Sequence, residues 1–139
     1  RADVLLEQLS NFGLPLGDAF QMRDDVLGVF GDTSTNLTGK PIGDDLREGK
    51  PTPLLALTTE LASPTQQEVL NKVGRPGMSA SDIADIQEVI QQTGALQTME
   101  DRITELTAES VSNLSGLALG NEAIEQFKAL AHLVSWRSL

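Results

Sequence analysis

Apolar residues recur at intervals of three and four along almost the whole chain, and this spacing constrains the fold more than any other feature. Clear examples are Ile83, Ile86 and Ile90, then Leu96, Met99, Ile103, Leu106 and Leu114. Such spacing places the apolar residues on one face of a helix. The sequence has no alternating run of β-branched residues bounded by hairpin turns, which a half-buried strand would need. We therefore predict an all-α helical bundle.

Glycine and proline suggest where the first helices begin and end. The opening "RADVLLEQL" is periodic from its start, and Pro15 suits the first turn of a second helix that runs to Phe30. Gly31 should end that helix. Residues 31–49 are rich in Gly, Asp, Thr and Asn, so they predict a long loop with one helical turn at 44–48. Loops of this length in compact domains are usually functional or disordered.

Further helices are predicted for the rest of the chain. The segment 51–62 is helical up to Ser63 and Pro64, and a short helix carries Gln66, Val69, Leu70 and Val73. Ser79 or Ser81 caps the next helix, which closes at Gly94. A longer helix follows, and the last one carries an inward stripe of Ile124, Phe127, Leu130, Ala131 and Val134. No repeat or linker divides residues 1–139, so we expect a single domain.

The composition excludes several classes of function. A net charge of −10 argues against binding nucleic acid, which needs a clustered basic face. No apolar run reaches about 18 residues, so no membrane span is expected. The absence of cysteine excludes disulfides and zinc–thiolate sites and agrees with a reducing, cytoplasmic location. The chain begins at Arg1, within a periodic stretch, so we expect it to be the interior of a longer protein.

Two adjacent aspartates interrupt the apolar stretch "FQMRDDVLGVFGD" at residues 20–32. On a helix, Gln21, Asp24, Asp25 and Gly28 share a face, and Gly17 and Gly28 leave room above it. Buried, adjacent carboxylates repel each other unless a cation or a donor compensates. A divalent metal is the simplest partner, and oxygen ligands favour Mg²⁺.

The acid pair alone has a second interpretation, in which it lies on a solvated face and pairs with Arg23 or Arg47. The following loop favours the metal, because Lys40 and Lys50 each follow a glycine there. Carboxylates that hold Mg²⁺ and ammonium groups that reach phosphate oxygens suit a diphosphate ligand. The single histidine, His132, has no acid near it in sequence, so we expect a packing or surface role for it.

"GDAFQMRDDVLGVFGD" followed by "TGKPIGDDLREGKPTPLL" resembles the second aspartate-rich motif and lysine loop of the trans-isoprenyl diphosphate synthases, the polyprenyl synthetase family. The resemblance covers nearly the whole chain but only the C-terminal half of the family's domain. It implies the isoprenoid synthase fold, a helical bundle around a central cavity. It also implies head-to-tail condensation of an allylic diphosphate with isopentenyl diphosphate, Mg²⁺ as cofactor, and a homodimer in the full-length enzyme.

By position, the resemblance implies that Asp24 and Asp25 bind metal, Asp25 directly or through water. Lys40 and Gln21 would be catalytic and contact substrate, with Lys40 on the allylic diphosphate. Lys50 and Arg137 would be further substrate contacts, Arg137 near isopentenyl diphosphate.

Two departures from the family pattern limit what the chain can do alone. The third aspartate of the motif is replaced by Gly28, and although Asp32 could assist, it cannot simply replace that ligand. The first aspartate-rich motif is absent from the sequence. We therefore expect a fragment of a longer enzyme, inactive alone, although a partner chain could supply the other half.

Two alternative functions stay open. The first is a non-catalytic helical subunit or partner-binding fragment. The second, a class I terpene cyclase, is disfavoured because Leu27 or Gly28 stands where its metal triad needs a hydroxyl.

Overall fold

The computed structural model describes residues 2–31, 42–115 and 119–135. Within these ranges the chain is helical with no strand, as the spacing of apolar residues predicts. The helices are α1 (Ala2–Phe30), α2 (Asp44–Glu48), α3 (Pro53–Leu61), α4 (Pro64–Leu70), α5 (Ala80–Gln92), α6 (Ala95–Ser112) and α7 (Asn121–Ser135). The all-α prediction is confirmed, and the single turn predicted at 44–48 is α2.

The predicted break before Pro15 is wrong, because α1 is one 29-residue helix with Pro15 inside it. Proline has no backbone N–H, so the carbonyl four residues earlier, that of Asn11, loses its helical donor. The side-chain amide of Asn113 donates to that carbonyl at 2.7 Å. One residue on, the Ser110 hydroxyl donates to the Phe12 carbonyl at 2.6 Å. Side chains from α6 and the turn that follows it thus support α1 where proline weakens it.

The described residues form two compact units, and the boundary falls inside α1 and inside α6 rather than at a linker. The first unit takes its residues from Arg1–Arg23 and Asp101–Arg137. Its main core packs residues of α1 and α7 around Leu114, with Phe12 and Phe127 edge to face and 5.3 Å between ring centroids. The buried members are Phe12, Leu16, Leu114 and Ala131.

The stripe predicted for α7 is confirmed except at Leu130, which is 45% exposed. Ala131 is buried, and Ile124, Phe127 and Val134 pack against it and its neighbours. Leu130 lies about 80° from the centre of that stripe at 100° per residue, which places it at the edge of the buried face. Its spacing of three from Phe127 was therefore not sufficient for burial.

The second unit, Asp24–Glu100, contains the end of α1, α2 to α5 and the start of α6. Helix α5 packs against α3 and α4, and the Gln87 side chain donates to the Val29 carbonyl of α1 at 2.8 Å. Capping follows the sequence, since Thr52, Ser63 and Ser79 each accept a backbone N–H at the start of α3, α4 and α5. Of the two serines proposed to cap α5, Ser79 does so.

None of the helices in the described ranges combines the length and the apolar character needed to cross a bilayer.

Candidate functional site

The acid pair lies in the last turns of α1, and its two members differ in exposure. Asp25 is 3% exposed, whereas Asp24 is half-buried. The neighbouring Val26 and Val29 are fully buried, so the apolar face of the helix fixes how the acids project. Asp24 therefore has the more accessible carboxylate of the two.

The rest of the predicted patch is more exposed than its apolar surroundings suggested. Gln21, one turn before Asp24 and Asp25, is exposed. Phe20 is 40% exposed, although the apolar stretch around it predicts burial.

Arg23 and Arg47, the cations considered as partners of the acid pair, both bind backbone carbonyls. Arg23 is 1% exposed, and its Nε donates to the carbonyl oxygen of Ser135 at 2.8 Å. Ser135 is the last residue of α7, where helix carbonyls lack internal donors and a positive charge is favourable. Arg47 Nη1 donates to the Ile42 carbonyl at 2.9 Å. Arg23 thus links α1 to the C-terminal end of α7.

The room predicted above Gly28 is already filled. A Cβ placed on Gly28 would lie 2.6 Å from Asp45 Cγ and 3.1 Å from its Oδ1, so the Asp45 carboxylate occupies that place. The prediction of open space there is wrong, because it considered α1 alone and not the packing of α2 against it. At Gly17 the space is open among the described residues, as predicted.

Asp45 brings Lys50 to the same region of the second unit. Asp45 is 8% exposed, and its Oδ2 lies 3.9 Å from Lys50 Nζ. The Lys50 backbone N–H also donates to the Asp45 carbonyl at 3.0 Å. Lys50, predicted as a substrate contact, is therefore connected to α2 through both its backbone and its side chain, and its side chain is 43% exposed.

The turn before Lys50 is fixed by a close approach of two glycines. Gly49 and Gly74 both have positive φ, and a Cβ on Gly49 would lie 3.1 Å from the Gly74 Cα. The Gly74 N–H donates to the Leu46 carbonyl at 2.9 Å. Only glycine at both positions allows this backbone contact, which fixes the end of α2.

Three residues considered in the sequence lie outside the described residues. These are Lys40, Arg137 and Asp32. His132 is exposed on α7, which agrees with a surface role.

The carboxylate oxygens of Asp24 and Asp25 are suitable ligands for a hard divalent cation, but they supply only part of its coordination shell. Among the residues that the structure describes, no group of three His, Cys, Asp or Glu side chains converges closely enough to hold one metal ion. Carboxylate oxygens are the donors that Mg²⁺ prefers, and Mg²⁺ is commonly held by one or two carboxylates together with substrate phosphates. Asp24 and Asp25 could therefore supply the one or two carboxylates of such a site, with substrate phosphates completing it.

Sequence reasoning gave no role to Asp45, although a signal was present. A glycine one turn after Asp24, in an otherwise apolar helix, leaves space that another element can enter. The acidic turn at 44–48 was the nearest candidate in the sequence, but its distance from Gly28 depends on how α2 packs.

The chain is similar to one protein family and to known proteins over most of its length. A sequence model described as polyprenyl synthetase matches residues 1–93. The geranylgeranyl diphosphate synthase of Saccharolobus solfataricus is 32% identical over 135 residues, covering 96% of this chain and 39% of that protein. The geranylfarnesyl diphosphate synthase of Aeropyrum pernix is 38% identical over 96 residues, covering 69% of this chain and 29% of that protein.

A solved structure is similar over almost the whole chain. It is the geranylgeranyl pyrophosphate synthase of Corynebacterium glutamicum, complexed with isoprenyl diphosphate and magnesium, with a TM-score of 0.87 and 43% identity over 94% of this chain and 37% of that one. The present chain thus spans less than half the length of the relatives it matches.

Proposed function

The chain belongs to the polyprenyl synthetase family, and we propose that the protein containing it is a Mg²⁺-dependent prenyltransferase. It condenses an allylic diphosphate with isopentenyl diphosphate, head to tail, and so elongates an isoprenoid chain. The observation that carries this proposal is the acid pair on α1, with an accessible Asp24 and a buried Asp25, in a chain whose relatives are prenyl diphosphate synthases.

The roles of the residues follow from the charges in the reaction. The allylic carbon–oxygen bond breaks, and its electron pair leaves with the diphosphate. The double bond of isopentenyl diphosphate then forms the new carbon–carbon bond, and a proton is lost. Mg²⁺, when bound, neutralises the diphosphate as negative charge develops on it.

Asp24 would hold the metal directly, and the more buried Asp25 would do so directly or through water. Lys40 and Lys50 would donate to diphosphate oxygens, and Gln21 would line the same wall of the site. Arg137 would approach isopentenyl diphosphate. Lysine is well suited to such contacts, because its ammonium group carries three donors at the end of a flexible stem.

The proposal includes a second half of the domain. The chain would correspond to the C-terminal half, and residues carrying the first aspartate-rich motif would come from the rest of a longer protein. The 37–39% coverage of relatives supports this division. A homodimer, a cytoplasmic location and inactivity of residues 1–139 alone are parts of the same proposal.

An activity assay of the full-length protein tests the proposal. We expect Mg²⁺-dependent formation of a longer prenyl diphosphate from an allylic diphosphate and labelled isopentenyl diphosphate, detected by mass spectrometry. Product formed from the allylic substrate without isopentenyl diphosphate would instead indicate a terpene cyclase. No binding of Mg²⁺ and pyrophosphate by calorimetry would indicate a non-catalytic subunit.

A further inference from the structure

Gly28 and Asp45 share one space on the surface of α1. The position that would hold a side chain at residue 28 is 2.6 Å from Asp45 Cγ, which is closer than carbon atoms approach without bonding. Any residue other than glycine would therefore require the Asp45 carboxylate to turn away. The absence of a side chain at 28 and the placement of Asp45 depend on each other.

A carboxylate in this place needs a compensating charge. Asp45 is 8% exposed, and it belongs to the same unit as Asp24 and Asp25. A largely buried carboxylate is costly unless a cation or hydrogen-bond donor compensates it. Lys50 Nζ, 3.9 Å away, supplies a positive charge.

The pair also restricts Lys50, whose side chain would otherwise be free to rotate. A lysine loses rotamer entropy when its ammonium group is fixed. Attraction to the mostly buried Asp45 carboxylate favours the Lys50 rotamers that point towards it, before any ligand binds. The hydrogen bond from the Lys50 backbone N–H to the Asp45 carbonyl, at 3.0 Å, also fixes the backbone from which the lysine side chain extends. A lysine positioned in advance binds an anion with a smaller entropy loss.

We propose that Asp45 is a positioning residue that holds Lys50 for contact with the diphosphate, and that Gly28 is glycine so that Asp45 can reach this place. The inference rests on the proposed function. It assigns Asp45 a role through Lys50, because the Asp45 carboxylate lies 3.9 Å from the Lys50 ammonium group. Asp45 thus occupies the place of the motif's missing third acid and acts through the lysine.

The test is a double-mutant cycle in the full-length protein. Asp45→Asn, Lys50→Gln and the double variant are titrated with inorganic pyrophosphate in the presence of Mg²⁺ by calorimetry. If Asp45 acts through Lys50, each single change weakens binding about 10-fold, in the range of a hydrogen bond to a charged group. The double variant is then no weaker than Lys50→Gln alone, because coupled residues are non-additive.

A matched control uses another lysine of the same unit. Lys72 Nζ lies 3.4 Å from Asp82 and its side chain is 39% exposed, close to the 43% of Lys50. Lys72→Gln should leave pyrophosphate binding unchanged. Melting temperatures of all variants show whether any loss of binding reflects loss of fold.

Gly28→Ala tests the steric part of the inference without changing charge. Alanine has a higher helix propensity than glycine, which offsets part of the cost of displacing the Asp45 carboxylate, so we expect only a small change in melting temperature. Pyrophosphate binding should nevertheless weaken about as much as in Asp45→Asn, because both changes release Lys50.

Several results would overturn the inference. These are unchanged binding in Asp45→Asn, unchanged binding in Gly28→Ala, or independent losses that add in the double variant. If the unmodified protein binds no pyrophosphate with Mg²⁺, the proposed function itself fails, which separates the two conclusions.

Discussion

The side-chain amide of Asn113 donates a 2.7 Å hydrogen bond to the carbonyl oxygen of Asn11, the acceptor that Pro15 leaves without its helical donor. A residue about a hundred positions later therefore completes the hydrogen bonding of the first helix. Without it, a carbonyl in the middle of α1 would depend on water or remain unsatisfied. This bond explains how α1 continues through a proline to the acid pair.

Replacing Asn113 with leucine should destabilise the protein by about 0.5–1.5 kcal/mol, the usual net contribution of one hydrogen bond, because this bond is exposed. Urea unfolding measures the change. In a Pro15→Ala background, where an N–H returns at position 15, the same replacement should have a clearly smaller effect. Equal losses in both backgrounds would show that Asn113 does not compensate for Pro15.

Arg23→Met should lower the free energy of unfolding by about 2–3 kcal/mol. The change keeps most of the apolar stem but removes a charged donor from the Ser135 carbonyl, to which Arg23 Nε lies at 2.8 Å. Arg102→Met is the control, because Arg102 forms an exposed pair with Glu105, and such pairs contribute about 0–1 kcal/mol. A similar loss of unfolding free energy in both variants would show that the buried Arg23–Ser135 hydrogen bond stabilises the protein no more than an exposed ion pair does.

Asp24→Ala should lower turnover of the full-length protein by at least about 100-fold, since Asp24 is the direct metal ligand in the proposed function. The fold should be little affected, because Asp24 is only half-buried and its charge lies next to that of Asp25. Steady-state kinetics and a melting curve measure both. Asp3→Asn, at an exposed position of the same helix, is the control. An unchanged rate in Mg²⁺ would contradict the metal assignment.

Lys40→Ala should raise KM for the allylic diphosphate about 10-fold or more while leaving the melting temperature nearly unchanged. The expected cause is loss of a charged hydrogen bond to a phosphate oxygen. Kinetics with each substrate varied in turn separate this effect from one on isopentenyl diphosphate. A larger change in stability than in substrate use would point to a structural role for Lys40.

The N-terminus of α5 should weaken in acid. The Ser79 backbone N–H donates to Asp82 Oδ2 at 3.0 Å and lowers the pKa of Asp82 below its ordinary value of 3.8, with Lys72 contributing. Because the folded pKa is lowered, this stabilisation is present above pH 3.8 and is lost as the pH falls through the lower folded value. NMR titration should give a low pKa for Asp82. Ser79→Ala removes only the smaller contribution of the Ser79 side chain and keeps the backbone N–H, so it should move the pKa only part of the way towards 3.8.

The features predicted correctly from sequence are those set by neighbouring residues. The cap at Ser79, the turn at α2 and the core stripe around Ile103 all depend on spacing within a single helix or turn.

The errors arose where distant residues decide the outcome. Local spacing makes Pro15 the start of a helix, because Asn113, which donates to the Asn11 carbonyl in place of the missing Pro15 N–H, is remote in sequence. The space above Gly28 was read as open because Asp45 reaches it from another helix. Neither partner could be identified from local spacing, since both depend on tertiary packing.

The close approach of Gly49 and Gly74 has a consequence for measurement. The Gly74 amide donates to the carbonyl of Leu46, four residues before Lys50, at 2.9 Å. The hydrogen exchange of this amide therefore depends on whether α2 stays closed. Exchange rates report local opening. Slower exchange of this amide when pyrophosphate is added would therefore reveal, from a turn far along the chain, that the end of α2 beside Lys50 opens less often.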